Sequence, residues 1–308
     1  MLPIFPNFRA LKLDEKEGYE KLISEFPPFS DIAFATLHIW WNLDNQLKIS
    51  SLNDNLVISY ELTDDERNSG YGLVGKNKID ETIQIIFDEL KRQDMEQKLV
   101  HVPNFVFENV TNRSKLQLTE ELDYNEYIVD SSSLSKLEGT PHRITRRKVK
   151  RFWNAALDKK VEIRELDLSD KNIKEELYSA IISWEKTQPN NNDPEQIQRR
   201  AMAKTIEHSD ELGIKHVGLF INDKLCGIQL YHKSHDNNHY VLHHLKVDYT
   251  VPYIFDYLTH HMAIKAVEDN IEFLNIEMDL GIEGLRQYKM GLRPAHFFRK
   301  YTITPKTS

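Results

Sequence analysis

Between Asn275 and Tyr301 the chain places Glu277 and Asp279 two residues apart, then Gly281, Gly284, Arg286, Lys289 and Arg293 among short apolar runs. Carboxylates beside backbone-permissive glycines and spaced cations are the material of an acid/base and anion-binding pocket. Phe273, Leu274 and Ile276 predict a buried strand, Asp279 to Gly281 a break, and Ile282 to Tyr288 a helical stretch with Ile282 and Leu285 inward. Glu277 and Asp279 would then sit at a strand's carboxyl end. Gly281 and Gly284 would bring backbone N–H groups to a helix start, where anions are favoured. Taken singly, the same residues read as a turn glycine, a capping carboxylate and solvated cations. Their density sets the stretch apart.

A second constellation lies at residues 142–151, HRITRRKVKR, where Arg143, Arg146, Arg147, Lys148, Lys150 and Arg151 fall within about three helical turns. Such a run is a local phosphate site or a solvated helix face with Val149 and Phe152 inward. Five histidines, His232, His235, His239, His243 and His244, crowd two neighbouring strands. No Cys, Asp or Glu completes a known ligand spacing, and strict strand alternation sends His243 and His244 to opposite faces, so no metal site is expected. His243, on the face of Val241, Leu245 and Val247, reads as a hydrogen-bonded core or cleft histidine. Trp40, Trp41, Trp184 and Cys226 read as packing.

The elements that must position these residues follow a recurring order. Tyr19, Leu22, Ile23 and Phe26 stripe a first helix, stopped by Pro27 and Pro28, and Ser30 or Asp31 can cap a second. Strands at 47–52 and 56–60 form a hairpin about Asn53, Asp54 and Asn55, followed by a strand at 71–74, a helix carrying Ile79, Ile83, Ile86, Phe87 and Leu90, and strands at 99–102 and 125–129. The second half repeats the order: a strand at 161–166, a helix carrying Ile173, Leu177, Ile181 and Trp184, and a helix opened by a capping box at Asp193, Pro194, Glu195 and Gln196. A hairpin about Asn222 and Asp223, a strand at 240–247, a helix at 251–269 and the strand at Phe273 complete it. Two similar α+β domains are expected, 1–145 and 146–308, with the basic run at their junction.

At 308 residues and 40% hydrophobic composition the chain can bury two ordinary cores. A net charge of −8 argues against a protein that coats nucleic acid indiscriminately. The single cysteine fits a reducing compartment, and the start lacks the pattern of a secretion signal, so a cytoplasmic location is expected.

The element order resembles the GNAT acyltransferase fold, whose sheet splays between its fourth and fifth strands around the acyl donor. Acetyl-CoA enzymes of that fold carry a glycine-rich loop after the fourth strand; here the corresponding stretches read VDYTVP at 247–252, without glycine, and LVGKNK at 73–78, with one. Acetyl-CoA is therefore the less expected donor. Three stretches, FPPFSDIAFATLHIWW, LEGTPHRITRRKVKRF and NIEMDLGIEGLRQYKMGLRP, resemble bacterial tandem-GNAT proteins similar to the C-terminal domain of phosphatidylglycerol lysyltransferase. Tyr288, Lys289, Met290, Gly291 and Leu292 also match the aromatic-Lys-x-Gly-hydrophobic motif of Fem-type aminoacyltransferases. The chain departs from the family where His244 and Leu245 follow His243, since an acidic residue often stands two places on.

The resemblance implies an aminoacyl-tRNA donor, no resident cofactor, and an unidentified acceptor: a lipid headgroup, peptide or small molecule. Peripheral membrane contact is compatible with it. It implies phosphate binding by Arg143, Arg146 and Arg147, and catalytic roles for Glu277, Asp279 and Lys289. Glu277 or Asp279 would hold the donor's ammonium or take the proton, while Lys289 offsets charge on the leaving oxygen or an acceptor phosphate. His243, Gly281, Gly284 and Arg286 would line the substrate site. The alternatives are an acyl-CoA-dependent N-acyltransferase and a non-catalytic ligand-binding module on the same fold.

Overall fold

The computed structural model describes residues 2–41, 47–60, 70–185 and 195–306. Its strands are β1 (Arg9–Ala10), β2 (Lys48–Leu52), β3 (Asn55–Tyr60), β4 (Gly70–Val74), β5 (Leu99–Pro103), β6 (Leu116–Glu120) and β7 (Glu126–Asp130), then β8 (Val161–Glu165), β9 (Ile214–Ile221), β10 (Lys224–Lys233), β11 (His239–Val247), β12 (Phe273–Asn275), β13 (His296–Phe298) and β14 (Lys300–Pro305). The helices are α1 (Lys16–Ile23), α2 (Phe34–Thr36), α3 (Ile79–Arg92), α4 (Asn104–Glu108), α5 (Ser131–Lys136), α6 (Arg143–Ala155), α7 (Lys171–Glu185), α8 (Glu195–Glu207), α9 (Ser209–Leu212), α10 (Ile254–Glu268) and α11 (Glu283–Gly291).

Both seven-stranded sheets are mixed and flanked by helices, the α+β architecture expected of tandem GNAT-like domains. The first runs β1-β2-β3-β4-β5-β14-β6, and the second, read from its far edge, runs β8-β9-β10-β11-β12-β7-β13. In each, the fourth and fifth strands are parallel. Each then takes its sixth place from the opposite half of the sequence: β14 enters the first sheet and β7 the second. One compact unit therefore comprises 1–126, 278–282 and 297–308, and the other 127–277 and 283–296. These interleaved segments differ from the single cut expected at 145/146, because strand pairing rather than sequence order gathers them.

The hairpins form where the turn residues demand. Asn53 and Asp54, and again Asn222 and Asp223, take φ of 51°, 61°, 50° and 63°, the left-handed pair of a two-residue turn matched to strand twist. The apolar stripe of α3 is buried as its spacing predicts. Trp184 and Cys226 are buried. Asp193 and Pro194 of the expected capping box, and the Trp41 side chain, lie outside the description.

Two expectations are corrected. Ser30 and Asp31 open only a short 3-10 turn without a side-chain cap. Asp31 instead pairs inside the first unit with Lys300, whose Nζ also lies 2.9 Å from Glu126 Oε1, and all three residues are at most 2% exposed. Burial alone would lower the Lys300 pKa, but the two carboxylates hold it well above its ordinary value. Ile282, expected inward, is 55% exposed, because the helix begins one residue later, at Glu283.

Candidate functional site

In the second sheet β11 and β12 pair only through His239, Tyr240 and Val241 against Phe273, Leu274 and Asn275. Beyond Val241 and Asn275 the pairing stops, and two residues on along each path stand His243 and Glu277. His243 Nδ1 lies 3.1 Å from Glu277 Oε1, so these two side chains bridge the split.

A register shift aims His243. Leu230 pairs with His244 and Tyr231 with Leu242, which leaves His243 as an extra residue in β11. Such a bulge breaks the alternation on which the opposite-face expectation rested. His243 Nε2 meets His232 Nδ1 at 2.8 Å, with the rings 6° from parallel, while His244 Nε2 meets the Thr205 hydroxyl at 2.9 Å. Burial pushes the His243 pKa down to about 3, so its imidazole is neutral at pH 7.

Glu277 sits at φ 57°, a left-handed conformation that costs a residue with a Cβ about 1–2 kcal/mol. Its N–H donates to Asn275 Oδ1 at 2.9 Å. The Tyr127 N–H donates to its carbonyl at 3.2 Å. Lys289, in the last turn of α11 and only 7% exposed, places Nζ 5.8 Å from the centroid of that Tyr127 ring. His243 and Glu277 thus meet across the split, and Tyr127 links the Glu277 backbone to the neighbourhood of Lys289.

Other candidates fall elsewhere. Asp279 belongs to the first unit and is fully buried; its Oδ1 accepts the Gly281 N–H at 2.8 Å. That N–H is engaged in the turn and does not open onto a helix start. Gly281 has φ 73°, and a Cβ there would lie 2.9 Å from Asp123 Oδ2, which explains the glycine. Gly284 is the exposed second residue of α11, and Arg286 on the same helix is half-buried. Arg143, Arg146 and Arg147 are exposed on α6, whose Thr145, Val149 and Phe152 face inward. Arg146 donates to the carbonyls of Leu137 and Gly139, and Lys148 to Asp256 Oδ1 at 3.0 Å. Among the described residues the side chains of Arg143, Arg147 and Lys150, on one face of α6, make no hydrogen bond or ion pair.

Sequence reasoning missed His232, Asn275 and Tyr127. His232 pairs opposite Val241, two residues before His243, so alternation puts both rings on one face once the register is known, and the sequence does not announce that register. Among the described residues no group of three His, Cys, Asp or Glu converges as metal ligands.

The first unit holds a related arrangement. β4 and β5 pair only at Tyr71 and Leu99, and the residue two beyond Leu99 is His101, again left-handed at φ 52°. His101 Nδ1 meets Glu121 Oε2 at 2.7 Å, and the Thr302 hydroxyl donates to Glu121 Oε1 at 2.6 Å. The rings of Tyr60 and Tyr124 pack on His101 at 5.5 and 4.8 Å, so this pair is filled by side chains. Burial would raise the Glu121 pKa, but the bonds from His101 and Thr302 pull it to about 2. A depressed carboxylate stabilises the fold above its unfolded pKa, near 4.5, and loses that contribution as pH falls toward 2. Glu121→Gln is therefore expected to remove roughly 3 kcal/mol at pH 7 and much less near pH 3, read as the difference in urea midpoints between the two.

The sequence profile of the family described as phosphatidylglycerol lysyltransferase, C-terminal, matches residues 30–304. A search of curated proteins finds no match. Among solved structures, a conserved protein of unknown function from Bacteroides thetaiotaomicron aligns with a TM-score of 0.81 at 19% identity, over 99% of this chain and 100% of that one. The C-terminal domain of a putative lysylphosphatidylglycerol synthetase from Agrobacterium fabrum aligns at 0.65 and 12% identity, over 96% and 92%. L-PGS from Bacillus licheniformis aligns at 0.62 and 11%, over 97% and 94%. At these identities the structural likeness is one of fold. The profile covers most of the chain, and by it the chain belongs to the family of the phosphatidylglycerol lysyltransferase C-terminal domain.

Proposed function

We propose that the chain transfers an aminoacyl group from aminoacyl-tRNA to an acceptor amine or hydroxyl at the split of the second sheet. The observation that carries this reading is the His243–Glu277 bridge across that split. The acceptor's heteroatom attacks the ester carbonyl of the charged tRNA end; Glu277 takes the acceptor's proton, and the ribose oxygen leaves with the bonding pair. Lys289, beside the Tyr127 ring, offsets negative charge on the leaving oxygen or on an acceptor phosphate. Asp279 serves in this reading as the residue that builds the turn into α11.

The exposed face of Arg143, Arg147 and Lys150, with Arg146 beside it, offers cations to the donor's phosphates. The acyl-CoA reading is disfavoured by the loop after β11. Asp248 Oδ1 accepts the Thr250 N–H at 3.0 Å and its hydroxyl at 2.6 Å, and the Asp248 carbonyl accepts the Val251 N–H at 3.0 Å. A carboxylate thus holds N–H groups in the loop where a pyrophosphate would need them.

Among the described residues no helix is long and apolar enough to cross a membrane. The family description makes phosphatidylglycerol in vesicles the first acceptor to try, against soluble amines. The donor is tested by binding aminoacylated and deacylated tRNA over a range of salt. Preference for the charged form is expected, and Arg143→Glu with Arg147→Glu should lower affinity at every salt concentration and flatten the log–log salt slope by about 2. Equal and negligible binding of both tRNAs at low salt would remove tRNA from the reading.

A further inference from the structure

His232 was assigned no part above, yet it is bonded to the central member of the site. A neutral imidazole carries one N–H, so of its two nitrogens one donates and one accepts. Both nitrogens of His243 are engaged: Nδ1 with Glu277 Oε1 at 3.1 Å and Nε2 with His232 Nδ1 at 2.8 Å. Only two proton arrangements satisfy both bonds. If Glu277 is a carboxylate, it can only accept; His243 then donates from Nδ1, its Nε2 accepts, and His232 must donate from Nδ1. If Glu277 is a carboxylic acid that donates, every proton reverses, and both histidines carry their hydrogen on Nε2.

The proposed transfer favours the first arrangement. That transfer requires a group able to take the acceptor's proton, and Glu277 can do so only as a carboxylate. We infer that His232 is a positioning residue, which by donating Nδ1–H to His243 Nε2 locks His243 in the tautomer that holds Glu277 as an accepting carboxylate across the split.

The inference rests on the proposed role of Glu277 for its purpose, but its first test does not need turnover. The tautomers are read from two-bond 15N–1H correlations of the histidine-labelled full chain, with His232→Asn and His243→Gln providing assignments. Expected at pH 7 are a pyrrole-type Nδ1 and a pyridine-type Nε2 on both His232 and His243. An Nε2–H on His243, or a mixture of its two tautomers in the wild type, overturns the inference. His232→Leu should release His243 into a mixture of tautomers; an unchanged single Nδ1–H tautomer there also overturns it.

The same variants separate the lock from the chemistry. With a working transfer assay, His232→Leu should lower kcat about tenfold with KM little changed, the size of one lost hydrogen bond. His232→Asn, whose amide N–H takes the place of Nδ1–H, should restore both rate and tautomer, which a loss of packing would not. If the tautomers are as expected and no donor supports transfer, the proposed function fails while the lock stands.

Discussion

Lys300→Met is expected to lower stability by about 3–5 kcal/mol, enough to remove a large part of the margin of an ordinary domain. The substitution keeps most of the aliphatic stem and deletes the ammonium that stands between Asp31 and Glu126. Both carboxyl groups would remain almost fully buried. Glu126 would keep the Ser30 N–H, which donates to both its oxygens at 3.0 and 2.8 Å, but would lose the ammonium 2.9 Å from Oε1. Asp31 Oδ1 already has no hydrogen-bond partner among the described residues. Urea denaturation of the single variant, compared with one that also carries Asp31→Asn and Glu126→Gln, tests the cause. Recovery of much of the loss in the triple variant would attribute it to stranded charge. A single variant within about 1 kcal/mol of wild type would show that the triad is not the linchpin of the first unit.

Glu277→Gln is expected to reduce aminoacyl transfer by about a hundred- to ten-thousand-fold with little change in stability. The amide oxygen can still accept from His243 Nδ1–H, so shape and bridge survive while the proton acceptor is lost. Glu277→Gly separates site from scaffold in the opposite way. Relief of the left-handed conformation should offset much of the lost side chain, so that transfer disappears while the urea midpoint holds or rises. Retention of more than about a tenth of wild-type kcat in Glu277→Gln would transfer the base role elsewhere.

The sequence announced features whose causes are local. Asn-Asp pairs make their turns because both residues tolerate positive φ, and the α3 stripe is buried because its spacing matches one helix turn. Glu277, His243 and Lys289 were all visible as candidates; the structure joins Glu277 to His243 and sets Lys289 beside the Tyr127 ring. What stayed hidden depends on contacts far along the chain. Asp31 looked like a helix cap because its partner Lys300 lies 269 residues away. Asp279 looked like Glu277's twin, but two residues of separation were enough for a turn to carry it into the other unit. His232 stayed out of view because its nearness to His243 depends on the register of β10 against β11, which local spacing does not announce.

The placement of β14 beside β5 carries a consequence for biosynthesis. On the ribosome the residues of the first sheet emerge early, yet its sixth place is vacant until every strand of the second sheet has been translated. During that interval β5 and β6 expose edges that β14 will later join, a template for mispairing with β7, which emerges next and belongs elsewhere. A nascent chain stalled or cleaved before Lys300 would present an open sheet to the cell's quality control, even with the transfer site already assembled.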